Sequence, residues 1–432
     1  MRYYSTNKVS AMVDFREATI QGQAPDKGLY FPESIPVLPK DFIDNIEHLS
    51  KEEIAFTVIK PYVGETIPTD VLEKIVAETI DFDIPLIQIN QQISSLELYH
   101  GPTLAFKDVG ARFMSRCLAE FVKNNKKEIT VLVATSGDTG GAVASGFYDV
   151  PGVKVVILYP SGKVSSVQEL QLTTLEKNIT AIEVEGTFDD CQRMVKEAFT
   201  DYELQDKLFL TSANSINVAR WLPQQFYYFF AYQQWPDKKN PPVVSVPSGN
   251  FGNICAGLLA QASGLPFQKF IAACNANDVV PQYMQTQQYA MKESIPTLSN
   301  AMDVGNPSNF TRIMELFNHN FDLLKEKVSA VSISDEETIE SLLSVYNNEN
   351  YLLDPHGAVA YRALDNYLKE NKNEKGFILE TAHPIKFYDV VEPVIHQKIA
   401  LPPSIEKLLK QTKKSIQMQP SYDALKQFLF WS

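Results

Sequence analysis

The chain has only four cysteines in 432 residues, Cys117, Cys191, Cys255 and Cys274, and none shares a CxxC spacing. That is too sparse for a disulfide frame and wrong for a zinc site, so they read as reduced thiols of a core. Histidine is equally thin: His48, His100, His319, His356, His383 and His396 are dispersed without HExxH spacing, and no catalytic metal is expected. Basic residues are in deficit, with 39 Lys and Arg against 52 Asp and Glu. The resulting charge of −13 opposes nucleic acid or an anionic membrane as partner. No run of 18 apolar residues occurs, and residues 1–14 mix charge and polarity, so neither a spanning helix nor a signal peptide is expected. Low-complexity tracts and fixed-period repeats are absent too. The G-x-x-x-x-G-K-[ST], G-x-G-x-x-G and G-x-S-x-G patterns are missing, which disfavours a P-loop, a dinucleotide fold and an acyl-transfer triad. What remains is a cytoplasmic globule of ordinary composition, 44% hydrophobic and 21% charged, long enough for two or three domains.

Residues 1–90 carry acidic, helix-like stretches (41–54 and Thr69–Thr79) broken by proline turns, and form a mostly helical N-terminal module. Beyond them the pattern changes. Short β-branched runs at Ile129–Ala134, 153–159, Ile179–Val184, 243–246, 270–273 and 377–379 alternate with helical patterns at 140–148, 166–176, 189–199, 214–232, 252–261 and 355–367. Continuous apolar strands with helical spacers predict α/β architecture with mostly parallel sheets covered on both faces. The strand number suggests two such lobes across 91–432, with the polar stretch 277–309 passing between them.

Ligands of open α/β sheets bind at the carboxyl ends of strands. Two loops there stand out, Ala134-Thr135-Ser136-Gly137-Asp138-Thr139-Gly140 and Pro247-Ser248-Gly249-Asn250-Phe251-Gly252-Asn253. Each joins glycine to a helix start, where free N–H groups cradle anions. Either loop alone is as readily an ordinary turn; together they suggest two bound anions. A third segment, His100-Gly101-Pro102-Thr103-Leu104-Ala105-Phe106-Lys107-Asp108, sets a lysine after an apolar triplet and before the helical pattern 110–122. Desolvation against such a wall lowers a lysine pKa and frees a neutral amine. In isolation Lys107 reads as a surface cap.

The company of Lys107 decides otherwise. HGPTLAFKD is accompanied in order by Gln21-Gly22, Gly28 to Pro32 (GLYFP), ATSGDTGGA from Ala134, Ser212 to Asn217 (SANSIN) with Arg220, PSGNFGN from Pro247, Leu298 to Asp303 (LSNAMD), Asp354-Pro355-His356 and Thr381-Ala382-His383-Pro384. This ordered set resembles the threonine synthases of the tryptophan-synthase-β-like, fold-type-II pyridoxal-phosphate family.

The resemblance implies two parallel-sheet lobes with pyridoxal 5′-phosphate between them. It implies Lys107 as covalent anchor and acid/base, and Gly249, Asn250, Phe251, Gly252 and Asn253 as the cofactor's phosphate loop. Asn250 and Phe251 stand where wider relatives often have glycine. Thr381 would face the pyridine nitrogen; a hydroxyl there is a weaker partner than a carboxylate and leaves the ring a milder electron sink. Asp138 would lie near the phenolate oxygen, where many relatives have asparagine, and a carboxylate there repels the phenolate unless a proton is shared. Ser136, Gly137 and Thr139 would grip the substrate's α-carboxylate. Asn214, Ser215 and Arg220 would hold its phosphate, Asn214-Ser215 as a helix cap and Arg220 as a fork. The implied reaction converts O-phospho-L-homoserine and water to L-threonine and phosphate. The rival readings are a serine/threonine dehydratase, which needs no second phosphate pocket, and an inactive ligand-binding homologue, which would be expected to lose Lys107.

Overall fold

The structure, a computed structural model, describes residues 1–123 and 128–431. Its strands in chain order are β1 Tyr3–Ser5, β2 Tyr30–Pro32, β3 Leu86–Gln88, β4 Ile93–Glu97, β5 Ile129–Ala134, β6 Val153–Pro160, β7 Ile179–Val184, β8 Phe209–Thr211, β9 Val243–Pro247, β10 Lys269–Cys274, β11 Val328–Ser332, β12 Gly376–Glu380 and β13 Ile416–Met418. They make an antiparallel β1–β2 pair, a five-stranded sheet in the order β13-β7-β6-β5-β8, and a six-stranded sheet in the order β11-β10-β9-β12-β4-β3. All pairings in the two large sheets are parallel except β3 with β4. Every residue of β5, β9 and β12 is buried, because helices cover both faces and a continuous apolar run suits a doubly covered strand.

One core joins the N-terminal module to the inner faces of both large sheets. Two smaller cores lie outside. Ile271 and Ile378 pack beneath helix Pro355–Glu370, and Leu132 and Val156 beneath Phe188–Ala198 and the C-terminal helix Tyr422–Trp431. Helix Gln225–Gln234 is buried from Gln225 to Tyr232 on every side, as its unbroken aromatic run requires. Among the described residues no helix is long and apolar enough to cross a membrane.

Three sequence expectations need correction. The 41–54 stretch is not one helix but Lys40–Asp44, a short 3-10 turn Ile46–His48 and the start of Lys51–Val63, because Ser50 and Glu53 form a capping box that starts a new helix. The 214–232 stretch is not one helix either: Asn217 caps Val218–Trp221 through Ala219 N–H at 3.0 Å, so Asn214 and Ser215 lie in a loop and are not the cap. The 277–309 stretch does not link one lobe to the other along the chain: it belongs to the connection from β10 to β11, neighbours in the six-stranded sheet, folds its own helix Val279–Thr286, and touches the other lobe at its end, where Asn309 Nδ2 donates to Ser215 Oγ at 3.2 Å.

Candidate active site

The topology gathers the marked loops at strand carboxyl ends. In the six-stranded sheet β9, β12 and β4 are adjacent and lead into the Ser248–Asn253 loop, Thr381 and the Lys107 loop. In the five-stranded sheet β5 and β8 are adjacent and lead into the Ser136–Thr139 loop and the Asn214–Asn217 loop.

Lys107 is the first residue of helix Lys107–Val122. Its loop is bolted to the end of β12: Phe106 N–H donates to Thr381 O at 2.8 Å, His383 N–H to Leu104 O at 3.0 Å, and Ala105 bridges Ala382. This register sets Lys107 beside Thr381. Leu104 takes a left-handed φ of 56°, a conformation costly for a branched-chain residue and typical of over-determined functional loops. Asp108 accepts from the Thr103 amide at 2.9 Å and hydroxyl at 2.6 Å, and Gly101 is required because a Cβ there would stand 2.5 Å from Asp108 Oδ2. Lys107 is half-buried as a residue, and desolvation of its amine dominates its titration. Desolvation, opposed by Asp138 and reinforced by Arg220 and Lys386, brings its pKa down to about 8.

Consecutive tyrosines of helix Gln225–Gln234 couple this loop to the next. Tyr227 donates to Phe106 O, while Tyr228 donates to Asn253 O and Oδ1, each at 2.9 Å. Asn253 sits in the first turn of Gly252–Ala262, and its Nδ2 is a buried donor with no partner. Gly249 approaches Met302 so closely that a Cβ would lie 2.5 Å from Met302 Cα. Phe251 adopts φ 61° and ψ 12°, a left-handed conformation that favours glycine; its ring is buried edge-on to Phe310 at 5.8 Å. Asn250 Nδ2 donates to Ser215 Oγ at 2.8 Å, so Ser215 abuts the cofactor-type loop and does not stand apart from it.

In the other sheet Thr135 Oγ1 accepts from the amides of Gly137 (3.1 Å) and Gly140 (2.9 Å), shaping the turn. Ser136 is exposed, Thr139 is half-buried, and a Cβ on Gly137 would meet Gln168 Nε2 at 2.7 Å. Asp138 is buried, and its Oδ1 accepts from Lys386 Nζ at 2.8 Å and Gln168 Nε2 at 2.9 Å. Lys386, then Lys107, outweigh its desolvation and hold its pKa down at about 2. Lys386 and Gln168 were invisible as partners in the sequence.

Arg220 is 3% exposed, donates from Nη1 to Ala213 O, and leaves Nε unpartnered. Desolvation lowers its pKa to about 10, opposed through charge alone by Tyr227 and Asp108. A second buried arginine, Arg312, is its opposite. It reaches Tyr30 O, Ser215 O, Ile216 O and Asn309 Oδ1 with all its donors and stacks over Trp221 at 4.4 Å. Arg312 thus ties the N-terminal module to the Ser215 loop. Asn214 is half-buried beside it.

These residues fit pyridoxal phosphate: a desolvated lysine, an unpartnered amide donor at a helix start, and cation balance around a buried carboxylate. Among the described residues no His, Cys, Asp and Glu cluster could hold a metal ion.

Comparison with known proteins agrees. The model for pyridoxal-phosphate dependent enzymes matches residues 88–379, that for the threonine synthase N terminus matches 2–80, and that for the threonine synthase C-terminal region matches 357–429. The threonine synthase of Serratia marcescens is 42% identical over 99% of each chain. Threonine synthase from Escherichia coli superposes with TM-score 0.92 at 41% identity, covering 100% of this chain and 99% of that one. The PLP-bound threonine synthase of Brucella melitensis gives 0.93 at 32% identity, covering 99% and 98%. With likeness of this extent in sequence and in fold, the chain belongs to the threonine synthase family of pyridoxal-phosphate dependent enzymes.

Proposed function

We propose that the chain converts O-phospho-L-homoserine and water to L-threonine and phosphate. The observation that carries this reading is Arg220, a buried guanidinium with no hydrogen-bonded carboxylate among the described residues, close enough to Lys107 for the two charges to interact. A desolvated cation left unpaired is costly unless an anion arrives with the substrate. A dehydratase acting on serine or threonine would have nothing to place there.

When bound, pyridoxal phosphate supplies the electron sink that makes the hydrogens next to the substrate's amino-bearing carbon acidic. Lys107 anchors it covalently. The loop of Gly249, Asn250, Phe251, Gly252 and Asn253 holds its phosphate with helix-start N–H groups and the free Asn253 Nδ2. Thr381 would offer its hydroxyl to the pyridine nitrogen. Asp138 would serve the phenolate side, with Lys386 supplying the positive charge that a lone carboxylate lacks. Ser136, Gly137 and Thr139 bind the α-carboxylate at the start of Asp138–Phe147. Arg220, with Asn214 and Ser215, holds the γ-phosphate until it leaves. The Lys107 amine, when free, would take the α-proton and return protons to carbon, a role suited to a pKa of about 8. Initial rates with O-phospho-L-homoserine, followed by phosphate release, test the reading against L-serine and L-threonine, followed by ammonia release. A kcat/KM for the phosphate ester at least about 1000-fold higher is expected from loss of the charged contact and leaving group. Comparable values would favour the dehydratase.

A further inference from the structure

We propose that Lys386 is a positioning residue that occupies the Asp138 carboxylate and so leaves the Lys107 amine without an acidic partner, a role that rests on Lys107 being the cofactor anchor. Three charged groups on three elements face Lys107: Asp138 from helix Asp138–Phe147, Arg220 from Val218–Trp221, and Lys386 from the turn Pro384–Phe387. Asp138 is the sole acid among them. A carboxylate paired with a lysine holds its proton and raises its pKa by one to several units, which would remove the neutral amine the anchor needs.

The geometry gives that carboxylate to Lys386 instead. Lys386 is fully buried, its Nζ stands 2.8 Å from Asp138 Oδ1, and a second bond at 2.8 Å to Thr103 O fixes its direction. Gln168 Nε2 donates to the same oxygen at 2.9 Å, and Gln171 Nε2 donates to the same Thr103 carbonyl at 2.9 Å. Thr103 in turn grips Asp108, the residue after Lys107, through its amide and hydroxyl. One braced unit therefore holds both the Lys107 loop and the carboxylate that would otherwise trap it. Among the described residues Lys107 gains no hydrogen bond to a charged side chain; its pKa responds to Asp138, Arg220 and Lys386 through charge alone. The remaining groups near Lys386 do not compete for Asp138. Asp108 is satisfied by Thr103, and His383 is held neutral by burial, with a pKa of about 4.

The test is competitive labelling of the full-length protein stripped of cofactor. An amine-acylating reagent is applied across pH and the Lys107 peptide is quantified by mass spectrometry, giving the midpoint of its free amine without any turnover. Lys386→Met is expected to raise that midpoint by at least about one pH unit, cutting Lys107 labelling near pH 7.5 about tenfold. Lys386→Arg, which keeps a cation for Asp138, is expected to stay within about 0.3 unit of wild type. In an Asp138→Asn background the Lys386→Met replacement should move the midpoint less than half as far. An unchanged or lowered midpoint in folded Lys386→Met, or equal shifts in both backgrounds, overturns the proposal. Should Lys386→Met not fold, the Lys386→Met/Asp138→Asn pair, which leaves no lone buried charge, is compared with wild type. Midpoints agreeing within about half a unit support the role, and a difference of a unit or more overturns it. Borohydride fixation of cofactor to wild-type Lys107 tests the underlying reading separately, so the two failures are distinguishable.

Discussion

Replacing Arg220 separates a functional buried charge from a structural one, because the two lead to opposite stabilities. Arg220 is 3% exposed with an unpartnered Nε, and burial lowers its pKa from the ordinary arginine range to about 10. That shift corresponds to about 3 kcal/mol of strain on the charged form, an upper bound on what removing the charge releases. Against it stands one lost bond to Ala213 O, about 1 kcal/mol, and little packing, since methionine keeps much of the side-chain volume. Arg220→Met should therefore leave the substrate-free protein unchanged or about 1–2 kcal/mol more stable in urea unfolding. Activity should move the other way. Loss of a charge-assisted fork to a phosphate dianion costs about 2–4 kcal/mol, so kcat/KM for O-phospho-L-homoserine should fall roughly 30- to 1000-fold. Arg220→Lys should recover part of it, since an ammonium cannot bind in bidentate fashion. The bound-cofactor spectrum should hold, because the loop proposed for the cofactor's phosphate, Gly249–Asn253, is a different one. A destabilised variant with normal kcat/KM would refute the reasoning and make Arg220 a strut; loss of the cofactor spectrum would mean that the two phosphate sites had been exchanged.

Other substitutions test the remaining parts. Arg312→Leu, unlike Arg220→Met, should destabilise by at least about 3 kcal/mol, because Tyr30 O, Ser215 O and Ile216 O lose their buried donor; urea midpoints measured side by side check the contrast. Phe251→Gly relieves a left-handed φ worth about 1–2 kcal/mol but deletes a buried ring worth about 3–5 kcal/mol, so a net loss of stability is expected by the same assay. Lys107→Ala should abolish turnover and borohydride-stable cofactor incorporation, and labelling through another lysine would contradict the anchor assignment. In the cofactor-free protein, the rate of cofactor capture should rise with pH and level off above about 8, since the neutral amine is the reactive form and its pKa is lowered. A rate still climbing through the ordinary lysine range would mean that Lys107 is not desolvated.

Much of this was legible in the sequence because the signals were local. Ile129–Ala134 and Ile179–Val184 announce themselves as apolar runs, and each glycine-bearing loop follows its strand directly. Strands without such runs were missed. β4 carries Ser94 and Ser95 yet becomes a sheet interior, and β13 is a short, half-exposed edge that exists only because β7 offers it backbone partners. The site divides the same way. Lys107 and the phosphate loop are contiguous motifs, whereas Lys386 meets Asp138 only through the packing of a turn after β12 against the β5 loop. Arg312 was equally hidden, since most of its hydrogen-bond acceptors are backbone carbonyls that no side-chain pattern encodes. The capping error at Asn214 arose because Asn214 and Asn217 are equally good caps by residue type, and the contact of Asn217 with Thr19 O in the N-terminal module chooses between them.

The central claim is tested most directly by turnover of O-phospho-L-homoserine in ¹⁸O-labelled water, with both products analysed by mass spectrometry. Elimination of the phosphate followed by addition of water at Cβ breaks the carbon–oxygen bond, so one ¹⁸O should appear in the hydroxyl of L-threonine and none in the phosphate. Label in the phosphate with homoserine as the other product would reveal simple hydrolysis at phosphorus, and a 2-oxoacid with ammonia would reveal a dehydratase-type lyase; either result would contradict the account.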